Sequence, residues 1–191
     1  MIPKIIFRYS ENYDEIIKRS RKLELDEYPS KEEIEKYLEE IKKLWEKDKI
    51  LGKISEIMGL KWTWNKINCY IVGRGTNFAF PLTLTIWTKK TDFIDVLTHE
   101  LIHRMEFQHR VHRTKWLKYL DDKYKGESDD AKNHILTFAV HKKIYLELFN
   151  QERLNRNIKR NDNMLDYNRA WEIVEQEGND NIIEKFKEVT K

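Results

Sequence analysis

The chain has 191 residues, 40% of them hydrophobic, which is enough to bury one substantial core and too many for a disordered polar chain. Lys and Arg number 36 against 33 Asp and Glu, a formal net charge of +3, and the signs are interleaved, as in Lys31-Glu32-Glu33-Ile34-Glu35-Lys36. No basic block points to nucleic acid, and none is expected as a partner. The single cysteine, Cys69, excludes an intrachain disulfide and any Cys-rich zinc finger, so histidine must supply most metal ligation. No apolar run approaches the roughly 20 residues of a membrane span, and the apolar part of Met1–Arg8 is too short for a secretory signal. The expectation is a cytoplasmic protein with no membrane partner.

From about Glu11 to Met58, Ile34, Tyr37, Leu38, Ile41, Leu44 and Trp45 recur at three- and four-residue steps among Lys and Glu, which predicts helix. Pro29-Ser30 breaks the pattern and supplies an N-cap, with Glu33 completing a capping box. After Gly59 the pattern changes. Trp62, Trp64, Ile67, Tyr70, Ile71 and Val72 are β-prone, Gly73-Arg74-Gly75 turns the chain, and Leu82-Thr83-Leu84-Thr85-Ile86-Trp87 alternates with period two. Two or three strands are predicted there.

Thr91-Asp92 can cap a helix with apolar positions at Phe93, Ile94, Val96, Leu97, Leu101, Ile102 and Met105. A polar break over 125–130 precedes a further helix from about Ala131 to Phe149, whereas Gln151 to Asn163, rich in Asn and Arg, reads as a loop. Two final helices, about Met164 to Glu177 and Asn181 to Val189, are separated by Gly178. One domain over 1–191 is expected: a helical layer at 10–58, a small sheet at 60–88, active-site helices at 91–149 and C-terminal helices at 164–189. The fold class is α+β, mainly helical, with the small sheet packed on the helix that Thr91-Asp92 begins.

That region carries His99-Glu100-Leu101-Ile102-His103, a His-Glu-x-x-His motif in a helix-compatible run. Four residues advance a helix by roughly 400°, so both imidazoles project from one face about 6 Å apart, close enough to share an ion. Glu100 flanks that ion, and a carboxylate there suits taking a proton from water on the metal better than binding the metal itself. The expected metal is zinc.

At these residues the chain resembles the zincin-like metallopeptidases, whose hallmark is this motif on a helix beneath a sheet. The resemblance covers the motif and the Pro81–Trp87 strand, in the place where zincins have an edge strand that pairs with an extended substrate. It implies hydrolysis of a peptide or protein, with His99 and His103 as ligands and Glu100 as general base and acid.

A catalytic zinc site usually has three protein ligands and one open position. His109 has the spacing of a metzincin third histidine, but Glu106 stands where that group has the glycine that lets the chain turn back. His134, on the 131–149 helix, is the preferred third ligand; Glu127, Asp129, Asp130, Glu172 and Glu175 are the acidic alternatives. His141 reads as a solvated histidine beside Lys142 and Lys143, and Asp95, four residues before His99, is available to hold that imidazole. Tyr119 and Tyr167 are possible oxyanion donors.

The leading expectation is a small zinc-dependent peptidase. Its rival is a catalytically silent zinc-binding module of the same fold, against which the presence of Glu100 argues, since a module that only binds needs no general base. A latent enzyme with a covered cleft would also fit the sequence.

Overall fold

A computed structural model describes residues 1–20, 28–45 and 49–191. The parts of the helical expectation that fall on 21–27 and 46–48 lie outside the described residues. The fold is α+β and mainly helical, as expected, and it divides into two compact units: Met1–Asp48 with Trp62–Arg104, and Lys49–Lys61 with Met105–Lys191.

The first unit is built on a four-stranded sheet of order β1-β2-β4-β3: β1 is Lys4–Tyr9, β2 Lys66–Val72, β3 Phe78–Ala79 and β4 Leu82–Thr85. β1, β2 and β4 run parallel, and β3 pairs antiparallel with β4. β1 was not anticipated. Its Ile5 and Phe7 stand beside Ile67 and Cys69 of β2, and this pairing with a strand some 60 residues away gives the short apolar N-terminus its structure.

The Pro81–Trp87 strand is not an edge strand, which corrects the sequence expectation. β4 lies between β2 and β3, and its four residues are all buried, so the two-residue β3 forms that edge of the sheet. The Leu-Thr alternation reflects two covered faces. Leu82 and Leu84 join the core with Ile71, while on the opposite face Thr83 hydrogen-bonds Tyr13 (2.9 Å) of α1 (Glu11–Ser20) and donates to the Pro81 carbonyl.

α1 is tied down by Asp14, which is buried and accepts from the Tyr28 hydroxyl, the Tyr9 hydroxyl (3.3 Å) and the Gly73 amide (2.9 Å). Gly73 is required for that closeness, since a Cβ there would come within 2.5 Å of the Tyr28 ring. α2 (Lys31–Leu44) starts at Ser30 with the expected capping box. Its Tyr37 donates to the Thr88 carbonyl (2.8 Å), so the helix is anchored just past β4. α4 (Phe93–Gln108) follows, and the division between units falls inside it. Its Phe93 packs on Phe7 of the sheet at 5.7 Å between ring centroids.

The second unit is helical: α3 (Lys49–Met58), α5 (Arg110–Lys123), α6 (Asp129–Leu148), α7 (Gln151–Arg160), α8 (Leu165–Glu177) and α9 (Asn179–Thr190). α6 is its hub, packed on α3, α5, α7, α8 and α9. Ser128 caps α6 by accepting from the Ala131 amide (3.0 Å), and Gly178, at φ 83°, turns the chain from α8 into α9. The layer expected over 10–58 is thus shared between units, because Ile50, Leu51, Ile54 and Ile57 give α3 an apolar face that clusters with the C-terminal helices.

The expected loop at 151–163 is wrong for most of its length, since α7 occupies 151–160. Asn150 caps it, accepting from the Arg153 amide (2.9 Å), and Leu154 and Asn157 turn inward while Arg156, Lys159 and Arg160 face solvent. The Asn and Arg content belongs to a cap and a solvated helix face. Among the described residues no helix is long and apolar enough to cross a membrane.

Candidate metal centre

α4 is buried on most of its circumference: Phe93, Leu97, Leu101, Ile102 and Met105 are buried, and so are the polar Asp95, Thr98, Glu100 and Glu106. His99 and His103 stand one turn apart with ring centroids 4.8 Å apart and their Nε2 atoms separated by 3.2 Å. At a Zn–N length of about 2.05 Å, that separation corresponds to an N–Zn–N angle of about 103°, close to the tetrahedral value. The pair therefore fits two ligands of one zinc ion.

Glu100 projects from a neighbouring stripe of α4 and is only 8% exposed. Burial pushes its carboxyl up to about 7, with the His103 imidazole pulling in the opposite direction. Cys69 on β2 is fully buried, and burial together with the Glu100 carboxylate raises its thiol far above the ordinary range, so it behaves as a small core residue. Asp95 is 2% exposed. Asp95, four residues before His99, is therefore a buried residue of α4 and not a surface one.

In the second unit His134 lies on the first turns of α6 and is 7% exposed. Its Nδ1 lies 2.7 Å from the Asp130 carbonyl oxygen. A carbonyl only accepts, so Nδ1 carries the proton and the lone pair of the neutral ring falls on Nε2, the form a metal ligand needs. The ring packs against Tyr167 at 4.2 Å and Phe138 at 5.4 Å. Among the described residues, His99 and His103 of the first unit and His134 of the second each offer one ring nitrogen suited to metal ligation.

The other candidates are engaged elsewhere. α4 ends at Gln108 rather than continuing through His109, whose Nε2 donates to the Lys61 carbonyl (2.9 Å) and whose ring meets that of His112. Glu127 accepts from Arg169 (2.7 Å), as does Glu172 (2.8 Å); Glu175 pairs with Lys142 (2.7 Å) and Asp129 with Lys132 (3.1 Å). Asp130 is exposed and contributes its backbone carbonyl. His141 is not solvated: it is 2% exposed and packs on the buried Tyr145. Tyr119 stacks on Trp116, and Tyr167 packs on His134, both half-buried.

One residue beside the motif escaped the sequence reading. Arg104 reaches from α4 to β3, where Nη1 donates to the Ala79 carbonyl (3.2 Å) and the guanidinium carbon lies 4.3 Å from the Trp64 ring and 4.5 Å from the Phe80 ring. Only its position directly after His103 could have drawn attention to it. Comparison of the chain with protein-family models, with curated proteins and with solved structures gave no match.

Proposed function

We propose that the protein is a zinc-dependent peptidase in which His99, His103 and His134 hold the ion and Glu100 is the general base. The observation that carries this reading is the α4 geometry: two Nε2 atoms at 3.2 Å with a buried carboxylate on the intervening residue. A structural zinc site saturated by protein ligands has no use for that carboxylate, whereas hydrolysis does.

Bound zinc would supply Lewis acidity, polarising a peptide carbonyl and making water acidic near neutral pH. His99 and His103 are fixed by a helix whose other sides are buried, so their nitrogens keep their spacing without reorganisation. His134 presents Nε2 because the Asp130 carbonyl holds the proton on Nδ1. Glu100 accepts a proton from the attacking water and returns it to the leaving amine, a cycle in which one oxygen carries the proton between two steps.

The test is to load the full chain with zinc, measure stoichiometry by elemental analysis, and follow cleavage of a mixed peptide library by mass spectrometry. The expected result is one zinc per chain and library cleavage that Glu100→Gln abolishes while zinc is retained. Absence of zinc after reconstitution overturns the metal assignment, and cleavage surviving in Glu100→Gln overturns the role of Glu100.

A further inference from the structure

Arg104 presents an anomaly of charge. This chain carries 33 acidic residues, and most of its inward-turned cations are paired: Lys132 with Asp121 and Asp129, Lys53 with Glu56 and Glu147, Lys142 with Glu175. Arg104 is partly buried, yet among the described residues no carboxylate meets it. It contacts one neutral carbonyl, Ala79 O, and two aromatic rings, Trp64 and Phe80. Its Nε is buried with no hydrogen-bond partner. A guanidinium taken partly out of water calls for an anion, and its planar fork matches a carboxylate best.

Its position says where that anion would come from. Arg104 is four residues after Glu100, so the two share a stripe of α4 about 6 Å apart, a span of roughly two residues of extended peptide. The aromatic contacts and the bond to Ala79 hold the side chain in place, which reduces the ordering needed on binding. Phe80, one of the two rings, is itself 59% exposed, so this shelf is open to solvent on one side.

We propose that Arg104 is a specificity-determining residue that binds a carboxylate carried by the substrate within one or two residues of the bond to be cleaved. This rests on the peptidase reading above. The carboxylate has two possible sources, the C-terminus of the peptide or an Asp or Glu side chain, and both present the same planar acceptor to the same fork.

The experiment uses the zinc-loaded full chain with Glu100→Gln to stop turnover, and calorimetric titration with three otherwise identical peptides. One has a free C-terminus and no acidic side chain, one is C-amidated with a single Glu, and one is C-amidated with Gln in its place. At least one carboxylate peptide is expected to bind about tenfold more tightly than the Gln peptide. Whichever does so identifies the source. The preference should fall to within about twofold in Arg104→Gln and only partly in Arg104→Lys, which keeps the charge and loses the fork.

Equal binding of all three peptides overturns the proposal, and that comparison needs no substitution at Arg104, so a folding defect in the variants cannot obscure it. A preference undiminished in Arg104→Gln overturns it as well. Library cleavage by the unsubstituted chain with no carboxylate preference sinks this inference alone. Absence of both binding and cleavage sinks it together with the peptidase reading.

Discussion

The two units hold their candidate ligands in opposite ways. In the α/β unit, two candidate ligands and a candidate base lie within five consecutive residues of one helix, and the backbone spacing alone brings two ring nitrogens to 3.2 Å. In the helical unit the candidate is one histidine, and nothing in the residues next to it marks it as a ligand. What qualifies His134 is a carbonyl one turn back that fixes its tautomer and a tyrosine from α8 laid over its ring. Local periodicity builds the first arrangement, and packing between helices builds the second.

Ligand substitution tests this contrast most severely. His99→Ala or His103→Ala is expected to weaken zinc by about 10³-fold or more, and His134→Ala comparably if three nitrogens share the ion; competition against a chelator of known affinity measures each. Retention of tight zinc in His134→Ala would reduce the site to the α4 pair and move the third ligand elsewhere. Circular dichroism should stay near that of the parent in all three variants, since none of these rings is an apolar core residue.

The packing side of the comparison is tested next. Phe138 is buried, stacks on Trp171 at 4.4 Å and flanks both His134 and Tyr167, so Phe138→Ala should cost about 3–5 kcal/mol in denaturant unfolding and weaken zinc as well. An unchanged zinc affinity in a folded Phe138→Ala protein would show that the aromatic surroundings do not orient His134.

Asp14 in the α/β unit anchors α1 away from the motif. Asp14→Ala leaves two phenols and a backbone amide without their acceptor and should cost about 2–3 kcal/mol with no change in zinc affinity. The same carboxylate acts on Tyr9, whose phenol is raised from 10.0 to about 12 by burial and then by the charge and hydrogen bond of Asp14. Because the folded state holds this proton more tightly, the stabilisation is fully present below the ordinary tyrosine range and is lost as pH rises through about 12. Asp14→Asn should therefore move part of the phenolate absorbance change to lower pH. The smallest effect is expected at the caps, where Ser128→Ala should cost about 1 kcal/mol by removing the acceptor for the Ala131 amide.

Reading the chain in order recovers what depends on neighbours. Ser30 and Glu33 cap α2 as their spacing demands, Gly178 separates the last two helices, and His99, Glu100 and His103 occupy one helix. Misreadings occurred where composition stood in for contact. The Asn and Arg of α7 looked like a loop because Leu154 and Asn157 supply its inward face and are few. β1 was unseen because six residues of strand have meaning only beside β2. β4 was expected at an edge through the resemblance alone, and alternation along a strand does not report which strands pair on its two sides.

For this protein, sequence by itself determines that His99 and His103 share one side of a helix with Glu100 beside them, since a helical repeat of 3.6 residues carries positions four apart to the same side whatever surrounds them. It also determines the start of α2, where the Ser30 side chain accepts from the backbone amide of Glu33 three residues on. Tertiary structure decided which strand is the edge, that His141 and Asp95 are buried, that His109 is bound to the Lys61 carbonyl, and that Arg104 lies against two aromatic rings with no counter-ion among the described residues. Each of these is a relation between residues distant along the chain, set by burial and hydrogen bonding that no local repeat encodes.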